Sequence, residues 1–153
     1  MHYQPQRDLL QNRTILVTGA SDGIGREAAL TYARYGARVI LLGRSADKLR
    51  DVAQQIERES GVAPQWFTLD LLTCTPQECQ QLAQKIAIHA PHLDGVLHNA
   101  GLLGDVVPMD RQDPDVWQQV MQVNVNGTFM LTQALLPLLL KAESGSLVFT
   151  TSS

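Results

Sequence analysis

The sequence predicts an α/β protein built on a doubly wound parallel sheet, and three observations predict it. Short aliphatic or β-branched runs alternate along the chain with segments of helical period. The runs are apolar throughout rather than alternately polar, as suits strands covered on both faces. Glycines cluster where the first run passes into the first helical segment. Right-handed crossovers between parallel strands then leave helices on both sides of one sheet.

The first strand is expected at Thr14-Ile15-Leu16-Val17-Thr18, with Ile24, Ala28, Ala29, Tyr32 and Ala33 marking the core face of the helix after it. The second is Ala37-Arg38-Val39-Ile40-Leu41-Leu42, followed by Leu49, Val52, Ala53 and Ile56 at i, i+3, i+4, i+7 spacing. Gln65-Trp66-Phe67-Thr68-Leu69 reads as the third, and Cys79, Leu82, Ala83 and Ile86 as the next helix face. The fourth is Leu93-Asp94-Gly95-Val96-Leu97-His98. A loop then reaches Asp113-Pro114, a helix start in which Asp caps free amides and Pro has no N–H to lose. That helix should run from about Asp115 to Lys141, with Pro137 bending or ending it. Gly145 to Thr151 reads as a fifth strand, apolar and at an edge.

Composition narrows the class. The chain has 153 residues, 44% hydrophobic and 18% charged, which fits one globular domain, residues 1–153. A net charge of −3 with no basic run gives no footprint for nucleic acid or anionic membrane. The N-terminus shows no apolar signal region, so a cytoplasmic location is expected. Cys74 and Cys79 fit neither a disulfide framework nor a zinc ligand set, and reduced thiols are expected. His89 and His92 lack a third ligand nearby, so no metal is expected.

The chemistry is carried by Thr18-Gly19-Ala20-Ser21-Asp22-Gly23-Ile24-Gly25 between strand and helix. Glycines permit a tight turn and let a pyrophosphate approach backbone amides, while the helix N-terminus adds partial positive charge. Gly19, Ser21, Gly23, Ile24 and Gly25 are therefore candidate cofactor contacts. A lysine and hydroxyl residue do not follow the last glycine, which excludes a P-loop. Dinucleotide sites that bind a free ribose 2′-hydroxyl carry an acid about 20 residues on. Here the second strand ends instead in Leu42-Gly43-Arg44-Ser45. A carboxylate would repel a 2′-phosphate and an arginine would pair with it, so Arg44 selects NADP(H) over NAD.

With these residues placed, the sequence resembles the short-chain dehydrogenase/reductase family, whose fold is of the Rossmann type. The markers are Thr18-Gly19-x-x-x-Gly23-x-Gly25, Asp70-Leu71, Asn99-Ala100-Gly101, Asn124, and Gly145 to Ser153. The resemblance implies an NADP(H)-dependent oxidoreductase that interconverts a carbonyl and an alcohol by hydride transfer. It implies that Asp70 bonds the adenine amino group beside the Leu71 backbone, and that Asn99, Ala100 and Gly101 line the adenosine ribose. Members more often have Asn where this chain has His98. Asn124 would hold a water in a proton relay, with Asn126 the competing candidate. Ser152 would bond the substrate oxygen, with Ser153 its neighbour.

The family's Tyr-x-x-x-Lys pair has no counterpart, since none of Tyr3, Tyr32 and Tyr35 is followed four positions on by a lysine. The expectation is therefore the N-terminal segment of a protein of about 250 residues, a typical upper domain size, with its sheet incomplete on the C-terminal side and inactive alone. A non-catalytic NADP-binding module, redox-sensing or scaffold, is the alternative. The family also implies a homodimer or homotetramer through the long helix, whose Trp117, Phe129, Leu131 and Leu135 supply apolar surface.

Overall fold

The computed structural model describes residues 5–151. Five parallel strands form one sheet in the order β3-β2-β1-β4-β5. They are β1 (Thr14–Thr18), β2 (Arg38–Gly43), β3 (Gln65–Thr68), β4 (Gly95–His98) and β5 (Ser146–Phe149). The helices are α1 (Gly23–Arg34), α2 (Ala46–Ser60), α3 (Pro76–His89), α4 (Pro114–Met121) and α5 (Thr128–Leu139). From β1 the chain winds outward to β3, then returns to place β4 on the other side of β1. The crevice between β1 and β4 is thus the topological switch point.

Strand residues alternate between two cores, as the pleat requires. Leu16, Ile40, Leu42 and Val96 pack with α3 and α5, including Leu131 and Leu135. Val17, Val39, Leu41 and Leu97 pack with α1 and α2. Burying a leucine such as Leu131 or Leu135, each 0% exposed, stabilises by about 1.5–3 kcal/mol. That burial corrects one expectation: Leu131 and Leu135 belong to the core rather than to a free surface. Trp117 and Phe129 do remain exposed, at 54% and 62%.

Two further departures have local causes. Ile24 is 68% exposed. The buried residues of α1 are Gly25, Ala29, Leu30 and Ala33, and Ile24 falls in the first turn outside the Gly25–Ala29–Ala33 row. The long helix is also not one helix. Residues Gln122–Gly127 form a π-helical segment between α4 and α5, a widening that polar Asn and a Gly tolerate. Pro137 lies inside α5, which ends two residues later at Leu139. β5 is an edge strand exposed along its whole length, with Val148 52% and Phe149 49% exposed.

At the far end of the sheet from the switch point, Asp94 ties β4 to β1. Its carboxylate accepts from Arg13 Nη1 at 3.0 Å and from the Thr14 amide at 2.8 Å. Burial pushes the Asp94 carboxyl up, but the Thr14 amide, Arg13 and His92 outweigh it and hold the group below its ordinary value. His92 Nε2 lies 3.3 Å from this carboxylate. No group of three metal-ligating side chains gathers among the described residues.

Candidate functional site

A cleft of about 760 Å³ opens at the C-terminal ends of β1, β2 and β4, over the switch point. Its floor is made by the glycine loop. Gly19 has φ +64° and Gly23 φ +52°, left-handed conformations that favour glycine. A Cβ on Gly19 would stand 3.0 Å from Ala100 Cα. One on Gly25 would stand 2.3 Å from Gly19 O and 2.6 Å from Asn99 Nδ2. These two glycines let α1 and the β4 loop close onto the turn.

Gly23 differs, because a Cβ there would meet nothing within 4 Å. It is the first residue of α1, capped by Asp22, whose carboxylate accepts the Gly23 amide at 2.9 Å. The amides of Ile24 and Gly25 follow, in a first turn that no intrahelical carbonyl reaches. Open space beside unpaired helix-start amides is what an approaching pyrophosphate requires. The cleft itself is lined by Gly19, Ser21, Arg44, Asp70, Leu71, Asn99, Ala100 and Gly101, but not by Gly23, Ile24 or Gly25. The Ile24 side chain is exposed beside the loop, at 68%.

At the end of β2, Arg44 is exposed and enters none of the ion pairs among the described residues. Ser45 caps α2, accepting the Lys48 amide at 3.4 Å. Lys48 reaches across the cleft mouth, its Nζ 2.9 Å from Asp22 Oδ2. The Lys48 contact, with the Gly23 amide, holds the Asp22 carboxyl below its ordinary value. Two cations and open helix-start amides fit a dinucleotide carrying an extra phosphate.

Asp70 sits at a tight turn after β3. Its Oδ1 accepts the Leu72 amide at 3.0 Å, and its carbonyl accepts from Thr73 and Cys74. The turn is pressed against the π segment: Gln122 Nε2 donates to Leu71 O at 3.2 Å, and a Cβ on Gly127 would stand 2.7 Å from that same oxygen. Cys74 and Cys79 lie beneath it, buried as free thiols with Sγ atoms 3.9 Å apart. Burial pushes both thiols up, Cys79 to about 12.

Across the switch point, Thr18 Oγ1 accepts the amides of both Asn99 and Ala100, each at 3.0 Å. This joins the β1 and β4 ends and fixes the loop that carries Asn99-Ala100-Gly101. Thr150, following β5, donates its hydroxyl to Asn99 Oδ1 at 3.3 Å. Asn124 is exposed and bonded to the Leu102 backbone. Asn126 makes a bond within its own helix turn, Nδ2 to Gln122 Oε1 at 3.3 Å. Ser152 lies outside the described residues.

Sequence reasoning missed Lys48 and Gln122, and gave Thr18 and Asp22 no role of their own although both stand in the glycine segment. For Lys48 a signal existed: Ser45 is a typical N-cap, and Lys48 follows at N3, on the turn that starts beside Arg44. Gln122 had none, because a π segment displaces side chains from helical spacing.

The fold and this site define a dinucleotide-binding class of protein, and the chain belongs to the short chain dehydrogenase family, whose model matches residues 13–153. The chain is 75% identical over 153 residues to the oxidoreductase YciK of Escherichia coli K12, covering 100% of this chain and 61% of that one. A solved structure of YciK from E. coli matches with TM-score 0.98 at 75% identity, covering 100% of this chain and 63% of that one. A short chain dehydrogenase from Escherichia coli CFT073 complexed with NADPH matches with TM-score 0.96 at 75% identity, over 97% of this chain and 62% of that one. One from Shigella flexneri 2a str. 301 complexed with NADP matches with TM-score 0.95 at 73% identity, over 96% and 62%. The chain thus spans 61–63% of the length of these relatives.

Proposed function

We propose that the full-length protein is an NADP(H)-dependent oxidoreductase interconverting a carbonyl and an alcohol, and that this chain is its nucleotide-binding part. The observation that carries the reading is Arg44 at the end of β2, free of ion pairs among the described residues, where a carboxylate would select a bare ribose. The relatives complexed with NADPH and NADP support it.

In this reading Arg44 pairs with the 2′-phosphate, and the Gly19–Gly25 loop with the α1 N-terminus takes the pyrophosphate. Asp70 and the Leu71 backbone hold the adenine, and Asn99, Ala100 and Gly101 flank the ribose. NADPH, when bound, supplies the hydride. Asn124 steadies a water for proton delivery, and Ser152 donates to the substrate oxygen as negative charge develops there. The protein is cytoplasmic, and it pairs as a homodimer or homotetramer through α4 and α5, where Trp117, Met121 and Phe129 are exposed. No helix among the described residues is long and apolar enough to cross a membrane.

Titration of NADPH and NADH into the full-length protein, followed by nucleotide fluorescence, tests the cofactor. NADPH should bind more tightly, and Arg44→Ala should narrow the gap by about 1.5–3 kcal/mol, the scale of a charged hydrogen bond. Equal affinities in the unmutated protein would refute the assignment. A non-catalytic NADP-binding module is the second reading. NADPH binding without turnover of any carbonyl by the full-length protein would select it.

A further inference from the structure

The cleft has an internal charge balance that Arg44 alone does not describe. Its lining carries two cations, Arg44 and Lys48, and two carboxylates, Asp22 and Asp70. Arg44 is unengaged by ion pairs among the described residues, whereas Lys48 is held by Asp22 at 2.9 Å. That pair bridges two elements, running from the α1 cap to the first turn of α2, across the mouth of the cleft. Both side chains are well exposed, at 59% and 77%, so the contact is screened and readily exchanged. Lysine presents three donors on a flexible stem and can move without disturbing α2. A phosphate monoester brings about −1.5 to −2 charges at neutral pH, against −1 for the carboxylate.

We propose that Lys48 is a second ligand for the 2′-phosphate, held in reserve by Asp22. Without that phosphate, Lys48 stays on Asp22 and neutralises a carboxylate that would otherwise face the pyrophosphate. With it, Lys48 transfers to the more highly charged partner and closes on it opposite Arg44. Asp22 therefore sets how far the site discriminates between the two nucleotides, because every phosphate-bound state must take Lys48 from it. This inference rests on the NADP(H) reading above.

The test is a set of nucleotide affinities, NADPH and NADH, measured by calorimetry on the full-length protein. Lys48→Gln should weaken NADPH by about tenfold or more, the loss of one charged hydrogen bond. NADH should change by less than about threefold, the size of an exposed ion pair, and Lys48→Arg should restore most of the preference. Asp22→Asn keeps the helix cap, since Asn caps as well as Asp. It should raise the NADPH-to-NADH preference, and that rise should vanish when Lys48→Gln is added. An unchanged preference in Lys48→Gln, with Arg44→Ala still reducing it, would overturn the role of Lys48 and leave the cofactor reading intact. Equal weakening of both nucleotides would also overturn it, assigning Lys48 to charge they share. No preference in the unmutated protein would instead overturn the cofactor reading.

Discussion

Asn124 grips the backbone of Leu102 with both ends of its amide: Oδ1 accepts the Leu102 N–H at 2.8 Å, and Nδ2 donates to the Leu102 carbonyl at 2.9 Å. The side chain thereby imitates a strand neighbour and pins the loop after β4 to the π segment. Asn124→Ala breaks two bonds at once and should lower stability by about 1–3 kcal/mol. Asn126→Ala, which loses a contact within its own helix turn, should cost under about 0.5 kcal/mol, as exposed sites do. Urea denaturation of the two variants checks this. Equal losses would show that the Leu102 contact contributes nothing special.

The glycine loop makes a sharper distinction than its motif does. Alanine at position 25 would press its methyl to 2.3 Å from Gly19 O, a backbone atom that cannot swing away. Gly25→Ala should therefore cost about 1–3 kcal/mol of stability, as overpacking does. At Gly23 there is room, and the cost arises from φ +52° instead, about 1–3 kcal/mol of backbone strain. Gly23→Val should additionally abolish nucleotide binding, because the side chain fills the space before the helix-start amides. Calorimetric binding that survived in Gly23→Val would place the phosphates elsewhere.

These cases mark how far the sequence is legible. Strand runs and helix faces read well, because burial on two faces leaves unbroken aliphatic stretches such as Val39 to Leu42, and one buried stripe such as Leu49, Val52, Ala53 and Ile56. Positions set by a local turn were legible too: Gly19, Arg44 and Asp70 line the cleft at the strand ends. What did not read is anything made by distant segments meeting. The Asn124–Leu102 grip spans 22 positions, Thr18 reaches Ala100 across 82, and Asp94 meets Arg13 across 81. The π segment was equally hidden: Val123-Asn124-Val125-Asn126-Gly127 is made of weak helix formers, but such a run does not by itself specify a π turn.

His98 is the residue through which pH should act on stability. It is 3% exposed, and its ring stacks on Phe149 with centroids 5.1 Å apart. Thr132 donates its hydroxyl to Thr128 O at 2.7 Å, so the 2.9 Å contact with His98 Nε2 requires the imidazole to be the donor. Nδ1 is left with no partner among the described residues. Burial pushes the imidazole down from 6.5 to about 4. The unfolded chain then binds the extra proton first, so stability is complete above about pH 6.5 and falls as pH drops toward 4. A shift of this size corresponds to roughly 3 kcal/mol. His98→Asn should flatten the stability profile across that window. Parallel profiles for parent and variant would show that His98 does not titrate there.

The enzyme reading turns finally on Ser152. A carbonyl being reduced gathers negative charge on its oxygen, and a hydroxyl beside it stabilises that charge more in the transition state than in the ground state. Of the two adjacent serines, the count from Gly145 selects Ser152 over Ser153. In the full-length protein Ser152→Ala should lower kcat by about 10²–10³, the usual cost of one oxyanion donor, with NADPH affinity unchanged. Ser153→Ala should do much less. The 153-residue chain alone should bind nucleotide without turning substrate over, for want of the tyrosine–lysine pair. Steady-state kinetics beside NADPH titrations would decide the matter. Loss of activity in Ser153→Ala alone would move the assignment by one position, and full activity in both variants would remove the serine from the mechanism.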